Sequence, residues 1–264
     1  MVGGLLLDID GVLVVSWKPL AGAAECLEWL RLRGVGFRLV TNTSSRTRRQ
    51  IAQILTEAGM PVDPAHILTA VSSAAAFLRD RYPDAPCLVV NEGAVGDDLE
   101  GVAETNDPGS AGVVLLGGAG PGLGYRHFDT AFKLALEGLP IIALHRNTRF
   151  QTSEGPALDM GAFIVGLEEA AGIEIPVVGK PSPAFFHAAL AEIGVEPADA
   201  VMVGDDIDSD VRGAQALGLT GVLVKTGKFR ASDLEGQGIP PDHVIDSVGR
   251  LPQLLERLSG SHGA

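Results

Sequence analysis

Cysteine is nearly absent from this chain of 264 residues: there are 2, Cys26 and Cys87. Cys26 falls in a helical pattern and Cys87 at a strand start, without the spacing that binds a metal. Both read as reduced and structural, which places the protein in the cytoplasm. Cations are scarce too. Lys and Arg number 20 against 33 Asp and Glu, a net charge of −13. That balance excludes a general nucleic-acid binder, whose electrostatic footprint is basic. It also argues against attachment to an anionic membrane surface. No apolar run reaches the length of a membrane span, and the first residues enter a strand pattern with no charged leader or cleavage site. No repeat, heptad or low-complexity tract is present, and the six His show no paired ligand spacing. An acidic protein of this kind, if it handles phosphates, must concentrate its few cations, or a metal, at one point.

What is present begins at once. Leu5-Leu6-Leu7 is an apolar run followed by Asp8-Ile9-Asp10-Gly11. The run predicts a strand buried on both faces, as in a parallel sheet. Active sites of open α/β sheets lie beyond the carboxyl ends of such strands. Asp8 and Asp10 are two apart, so at a strand end they point to one side. Close carboxylates repel unless a cation or proton lies between them. The stretch is either a divalent-metal site with a carboxylate nucleophile or a strand followed by an acidic turn.

Further along, the pattern alternates helix and strand. A helix is expected from Ala21 to Gly34, then a strand, Phe37-Arg38-Leu39-Val40, ending in Thr41-Asn42-Thr43-Ser44-Ser45. A β–α–β unit makes the two strands parallel neighbours, which brings Thr41 and Asn42 towards Asp8 and Asp10. That hydroxyl and amide cluster can hold phosphate oxygens, or it can simply cap the following helix through Ser44, Ser45 or Thr47. The helix from Thr47 to Ala58 carries Arg46, Arg48 and Arg49 on a polar face; Arg46 can reach a substrate anion. A short strand follows at Ile67-Leu68-Thr69, then a helix starting at Ser72 or Ser73 and running to about Tyr82.

From about residue 83 a separate α/β stretch of domain size follows. Its strands are expected at Cys87–Val90, Gly112–Gly117 and Pro140–Leu144, with a helix from Phe128 to Glu137. The loop Gly117 to Gly124 lacks the Lys-Ser/Thr of a P-loop, and its glycines do not fall as G-x-G-x-x-G, so it reads as a flexible connection. His145-Arg146-Asn147-Thr148-Arg149 is the basic cluster of this stretch. It is either a surface hairpin or an edge that faces substrate.

The first pattern then returns. Lys180 stands at an expected strand end between Gly179 and Pro181, with Ser182 as an N-cap and Pro183 at the first helical position. Ala200-Val201-Met202-Val203-Gly204 is a buried strand, and Asp205-Asp206-Ile207-Asp208-Ser209-Asp210 follows it. A helix from Val211 to Leu217 is expected next. Acidic capping explains one or two of these aspartates but hardly all. After the strand Gly221–Val224 comes a basic loop, Lys225-Thr226-Gly227-Lys228-Phe229-Arg230.

Asp8-x-Asp10-Gly11-Val12-Leu13, the strand-end Thr41, Lys180 and Gly204-Asp205-Asp206-x-x-x-Asp210 together resemble the four motifs of the haloacid dehalogenase superfamily of phosphohydrolases. The resemblance covers nearly the whole chain. It implies an α/β fold: a Rossmann-like core with a parallel sheet and helices on both faces, plus an inserted α/β cap of the C2 type, subclass IIA. The core would be 1–82 and 175–264 and the cap 83–174, hinged near residues 80–84 and 174–178. Gly179-Lys180-Pro181 and Val224 to Asp233 resemble a narrower branch of that subclass, although Leu158-Asp159-Met160-Gly161 stands where that branch carries L-G-P-G.

The resemblance also implies roles. Asp8 would attack phosphorus and form an aspartyl phosphate. Asp10 would protonate the leaving group and then take a proton from water. Asp8, Asp205 and the backbone carbonyl of Asp10 would hold Mg²⁺. Asp206 or Asp210 would orient the metal's waters or Lys180. Thr41, Asn42 and Lys180 would bind the equatorial phosphate oxygens. Arg46, His145, Arg146, Asn147 and Arg149 are candidates for setting specificity. The implied partner is a small phosphorylated substrate, whether an ester, pyrophosphate or an N–P bond, or else one specific metabolite such as phosphoglycolate, pyridoxal phosphate or a nucleotide monophosphate. A non-catalytic scaffold is the remaining alternative. A cap-mediated homodimer is implied by resemblance alone.

Overall fold

The computed structural model describes residues 2–152, 155–235 and 238–260. The chain divides into two compact units. The first comprises 1–41, 48–68 and 180–264, and the second 42–47 and 69–179.

The first unit starts with β1 (Gly4–Asp8), buried at every position. After a turn the chain forms α1 (Ala23–Leu32), β2 (Gly36–Thr41) and α2 (Arg48–Glu57), and β3 (Ile67–Thr69) closes this half. In the second unit α3 (Ala70–Arg81) leads to β4 (Cys87–Val90), β5 (Glu104–Thr105) and β6 (Val113–Leu116). Then come α4 (Tyr125–Leu136), β7 (Ile141–Ala143), β8 (Arg149–Thr152), β9 (Gly155–Leu158) and α5 (Met160–Ala171). Back in the first unit are α6 (Pro183–Ile193), β10 (Ala200–Gly204), β11 (Thr220–Val224), β12 (His243–Ile245) and α7 (Leu251–Gly260).

The first unit's sheet has the order β12-β11-β10-β1-β2-β3, with β1 parallel to both β2 and β10 near its centre. Side chains alternate across a strand, and β1 shows why its run must be apolar throughout. Leu5 and Leu7 pack with α1, α2 and α7 through Leu27, Leu30, Ile51, Leu55, Leu251 and Leu254. Leu6 packs on the opposite face with Phe185, Phe186, Ala189 and Leu190 of α6. Each such leucine contributes about 1.5–3 kcal/mol by burial. This is the expected α/β core, a parallel sheet with helices on both faces.

The second unit repeats the plan on a smaller scale, with a parallel sheet ordered β5-β4-β6-β7. One face is covered by α3 through Ala74, Ala75 and Leu78. The other is covered by α4 and α5 through Ala131, Leu134, Met160 and Ile164. With α3 packed on its sheet, this unit takes in 69–179 together with 42–47.

Several local expectations are corrected. The cap of α3 is Thr69, not Ser72 or Ser73: Thr69 and Ser72 form a reciprocal capping box. Ser182 sits at the N-cap of α6 but makes no side-chain capping bond. Val177 pairs with Ala143 only as an isolated bridge, so Lys180 lies in a turn rather than at the end of a regular strand. The expected helix 211–217 is replaced by a wide π-type turn over Ile207–Arg212 and a short helical stretch, Gly213–Gln215. The loop 117–124 is pinned: Gly118 N–H donates to Asn91 Oδ1 (2.8 Å), Ala119 N–H to Asp159 Oδ1 (3.1 Å) and Gly122 N–H to Glu92 Oε2 (2.9 Å).

Candidate active site

The parallel register brings the chemistry of the first unit together. Asp8, the last residue of β1, lies opposite Val40 of β2, so Thr41 ends the neighbouring strand one position further on. On the other side Leu7 lies opposite Val203 of β10, and Asp205 follows that strand directly. Carboxylate oxygens of Asp8, Asp205 and Asp210 all lie within 4.8 Å of one another. All three residues are buried.

Asp210 reaches this position because the turn after β10 folds back. Asp206 Oδ1 accepts the N–H groups of Asp208 (3.2 Å) and Ser209 (3.1 Å), and Asp206 N–H donates to Asp210 Oδ2 (3.2 Å). Those local bonds compete with a regular helix and widen the turn. Gly204 is required at its approach, since a Cβ there would overlap the Asp210 side chain.

Two lysines face the carboxylates. Lys180 Nζ lies 2.6 Å from Asp8 Oδ1 and 2.6 Å from Asp210 Oδ1, and the lysine is buried. Lys228 Nζ lies 3.2 Å from Asp206 Oδ2, and Lys228 N–H donates to Asp205 Oδ2 at 2.6 Å. Thr226 Oγ1 donates to the carbonyl of Gly11. Gly11 and Gly227 both have positive φ, and a Cβ on either would overlap the Asp205 carboxylate. Only glycine fits at both positions.

Electrostatics follow from burial. Desolvation raises the Asp8 carboxyl to about 7, against the pull of Lys180 and with Asp210 adding to the rise. Asp205 is raised well above the ordinary range by burial and by the Asp8 and Asp210 charges. Asp10 keeps a solvent-accessible edge, yet the protein packed around it raises its carboxyl, opposed by Lys228 and Lys180. Burial would depress both lysines, but the carboxylates prevail and each is raised, Lys180 chiefly by Asp210 and Asp8, Lys228 chiefly by Asp206 and Asp205. Asp206 is also desolvated, but Lys228 and the turn's N–H groups hold it below its usual range. A cluster of buried carboxylates offering only oxygen donors fits a hard divalent cation such as Mg²⁺.

The other expected site residues divide between the two units. Asp10 is not one of the three clustered carboxylates; its backbone bridges Val14. Asn42 belongs to the second unit, where its Oδ1 packs beside Gly179, and half-buried Arg46 lies in that unit as well. His145 is buried there, its Nδ1 accepting Asn147 N–H at 3.3 Å and its Nε2 3.9 Å from Asp159. Arg146 is held by both oxygens of Glu168, at 2.7 and 2.5 Å. Arg149 is exposed at the start of β8. Within the basic loop the sequence gives Lys228 no rank over Lys225 or Arg230; the signal is Gly227 before it, a residue whose conformation demands glycine.

Comparison with known proteins agrees with this geometry. A haloacid dehalogenase-like hydrolase profile matches residues 5–103, and a second haloacid dehalogenase hydrolase-like profile matches 177–251. The human haloacid dehalogenase-like hydrolase domain-containing protein 2 is 38% identical over 92% of this chain and 95% of its own. Rat phospholysine phosphohistidine inorganic pyrophosphate phosphatase is 34% identical over 96% of this chain and 94% of its own. Among solved structures, p-nitrophenyl phosphatase from Archaeoglobus fulgidus superposes with a TM-score of 0.88 at 30% identity, covering 96% of this chain and 98% of that one. The fold and its carboxylate site define a hydrolase built on a parallel α/β core. The chain belongs to the haloacid dehalogenase-like hydrolases.

Proposed function

We propose that this protein is a Mg²⁺-dependent phosphohydrolase that works through an aspartyl-phosphate intermediate on a small phosphorylated substrate: an ester, pyrophosphate or an N–P bond. The observation that carries the reading is the convergence of buried Asp8, Asp205 and Asp210 within 4.8 Å of one another, with the ammonium of Lys180 2.6 Å from both Asp8 and Asp210. A carboxylate at a strand end beside a fixed cation is a nucleophile with an anion-binding group next to it.

In this reading Asp8 Oδ attacks phosphorus and the bond to the leaving group breaks. Asp10 gives its proton to the departing atom; its raised carboxyl suits that task. Water then attacks the aspartyl phosphate and yields its proton to Asp10, which returns Asp8 as a carboxylate and releases phosphate. Lys180 and the Thr41 hydroxyl bind the equatorial oxygens, where transition-state charge is spread. Asp8, Asp205 and the carbonyl of Asp10 would hold Mg²⁺, which when bound supplies positive charge to the phosphoryl group. Asp210 holds Lys180 in place. The second unit acts as the C2-type cap that sets substrate choice, and two buried free thiols support a cytoplasmic setting.

The test is release of p-nitrophenol from p-nitrophenyl phosphate with Mg²⁺ and with EDTA, in the wild type and Asp8→Asn. Expected are metal-dependent turnover in the wild type and a loss of about a thousandfold or more in the folded variant. Near-normal turnover by Asp8→Asn excludes the nucleophile assignment. No metal-dependent release from this substrate or a broad set of phosphometabolites favours a scaffold.

A further inference from the structure

Lys228 is a second ammonium beside the acidic cluster, and the chemistry above does not use it. It touches two consecutive carboxylates in different ways. Its backbone N–H is bonded to Asp205 and its Nζ is paired with Asp206. Its charge also acts on the carboxylates of Asp8 and Asp210. The segment cannot drift away, because Thr226 is tied to the Gly11 carbonyl and Gly227 packs directly on Gly11. Five carboxylates from the two acidic stretches (Asp8, Asp10, Asp205, Asp206 and Asp210) therefore face two ammonium groups. Lys180 is fully enclosed, whereas the side chain of Lys228 retains 28% exposure.

We propose that Lys228 is a positioning residue that serves as the built-in counter-ion of the carboxylate cluster. It holds Asp205 and Asp206 in place when no divalent cation is bound and restrains the affinity for that cation. This inference rests on the phosphohydrolase reading of the same site. Its physical basis is Coulombic: an ammonium a few ångströms from a divalent ion repels it, and within a protein that repulsion is far less screened than in bulk water. Removing the charge strengthens divalent binding and weakens the empty protein.

The test is calorimetric titration with Mg²⁺ at pH 8, with melting curves in the presence and absence of Mg²⁺, for the wild type, Lys228→Met and Lys228→Arg. Lys228→Met keeps the backbone N–H and most of the stem. It is expected to bind Mg²⁺ about threefold or more tightly, to melt lower than the wild type without Mg²⁺, and to show a larger rise on adding it. Lys228→Arg is expected to match the wild type in both measurements. Equal lowering of both melting temperatures with unchanged Mg²⁺ affinity, or weaker affinity, overturns the proposal while leaving the phosphohydrolase reading intact. A wild type that binds no divalent cation removes the cation site itself, and with it that reading. If Lys228→Met does not fold alone, refolding on adding Mg²⁺ supports the counter-ion role and failure to refold overturns it.

Discussion

Lys180 Nζ stands 2.6 Å from Asp8 Oδ1 although 172 residues separate them in the chain. The contact also includes Asp210, at the same distance on the lysine's other side. It therefore joins the first strand of the sheet to the turn after β10. Removing the cation leaves two buried carboxylates facing each other. Lys180→Met is expected to lower stability by about 3–5 kcal/mol, the cost of breaking a buried ion pair from one side. Denaturant unfolding measures it, and adding Asp210→Asn to Lys180→Met should recover part of the loss. A double variant as unstable as the single one would show that carboxylate repulsion is not the cause.

The raised carboxyls make stability depend on pH in a defined direction. Asp8 has a folded value of about 7 against 3.8 for the free side chain, so the folded state holds its proton more tightly than the unfolded chain. The stability this adds is present below about pH 4 and is lost as pH rises to about 7. Asp205 acts in the same sense. Asp206, held low, acts oppositely: its contribution is lost only below the free value of 3.8, outside this window. A divalent cation needs ionised ligands. The stabilisation by Mg²⁺ should therefore grow from pH 5 to pH 8, while these groups weaken the metal-free protein over the same range. Scanning calorimetry across that range, with Mg²⁺ and with EDTA, reads both trends. An Mg²⁺ increment that does not change with pH would contradict the assignment of these carboxylates as ligands.

Both thiols are expected to be inert in the native protein. Cys26 lies in the core beside α1's leucines and Cys87 starts β4, and burial pushes each up to about 12. The thiolate is the reactive form, and at pH 8 its fraction at that value is negligible. A coloured disulfide reagent should titrate no thiol in the folded protein and two in denaturant. Rapid labelling of either thiol without denaturant would mean that its unit opens readily.

Much of this site can be read from the chain, because its logic is local in sequence. Leu5-Leu6-Leu7 announces a strand covered on both faces, and the two faces are filled by different helices, as such a run requires. Asp8 and Asp205 mark the ends of strands whose patterns are equally plain. Lys180 stands out through its Gly and Pro neighbours, although no regular strand precedes it. What was hidden depends on distant partners or on side-chain bonds within a turn. The turn at Ile207–Arg212 is shaped by where Asp206 points, which periodicity does not record. The start of α3 is fixed by a Thr69–Ser72 exchange of bonds that either serine could have imitated. Lys228 looks like any cation of a surface loop until Gly227 is seen packing on Gly11.

The loop from His145 to Arg149 divides in the structure, and its variants should divide too. Arg146 already spends its guanidinium on Glu168, whose Oε1 also accepts Ile175 N–H at 2.8 Å. That pairing lowers the Glu168 carboxyl and raises Arg146, each chiefly through the hydrogen bonds between them. The arginine side chain is 40% exposed, so the pair is screened and contributes about 1 kcal/mol or less. Arg146→Ala is expected to cost about that much stability and to leave the relative KM of differently charged substrates unchanged. Arg149 is exposed, and its charge remains available to an incoming anion. Arg149→Ala should raise KM more for substrates whose leaving group is anionic, such as pyrophosphate, than for p-nitrophenyl phosphate, with kcat little changed. The comparison of KM ratios across the two variants decides it. Equal ratios in wild type and Arg149→Ala would remove this loop from substrate selection, and a shifted ratio in Arg146→Ala would mean that its pairing with Glu168 opens during binding.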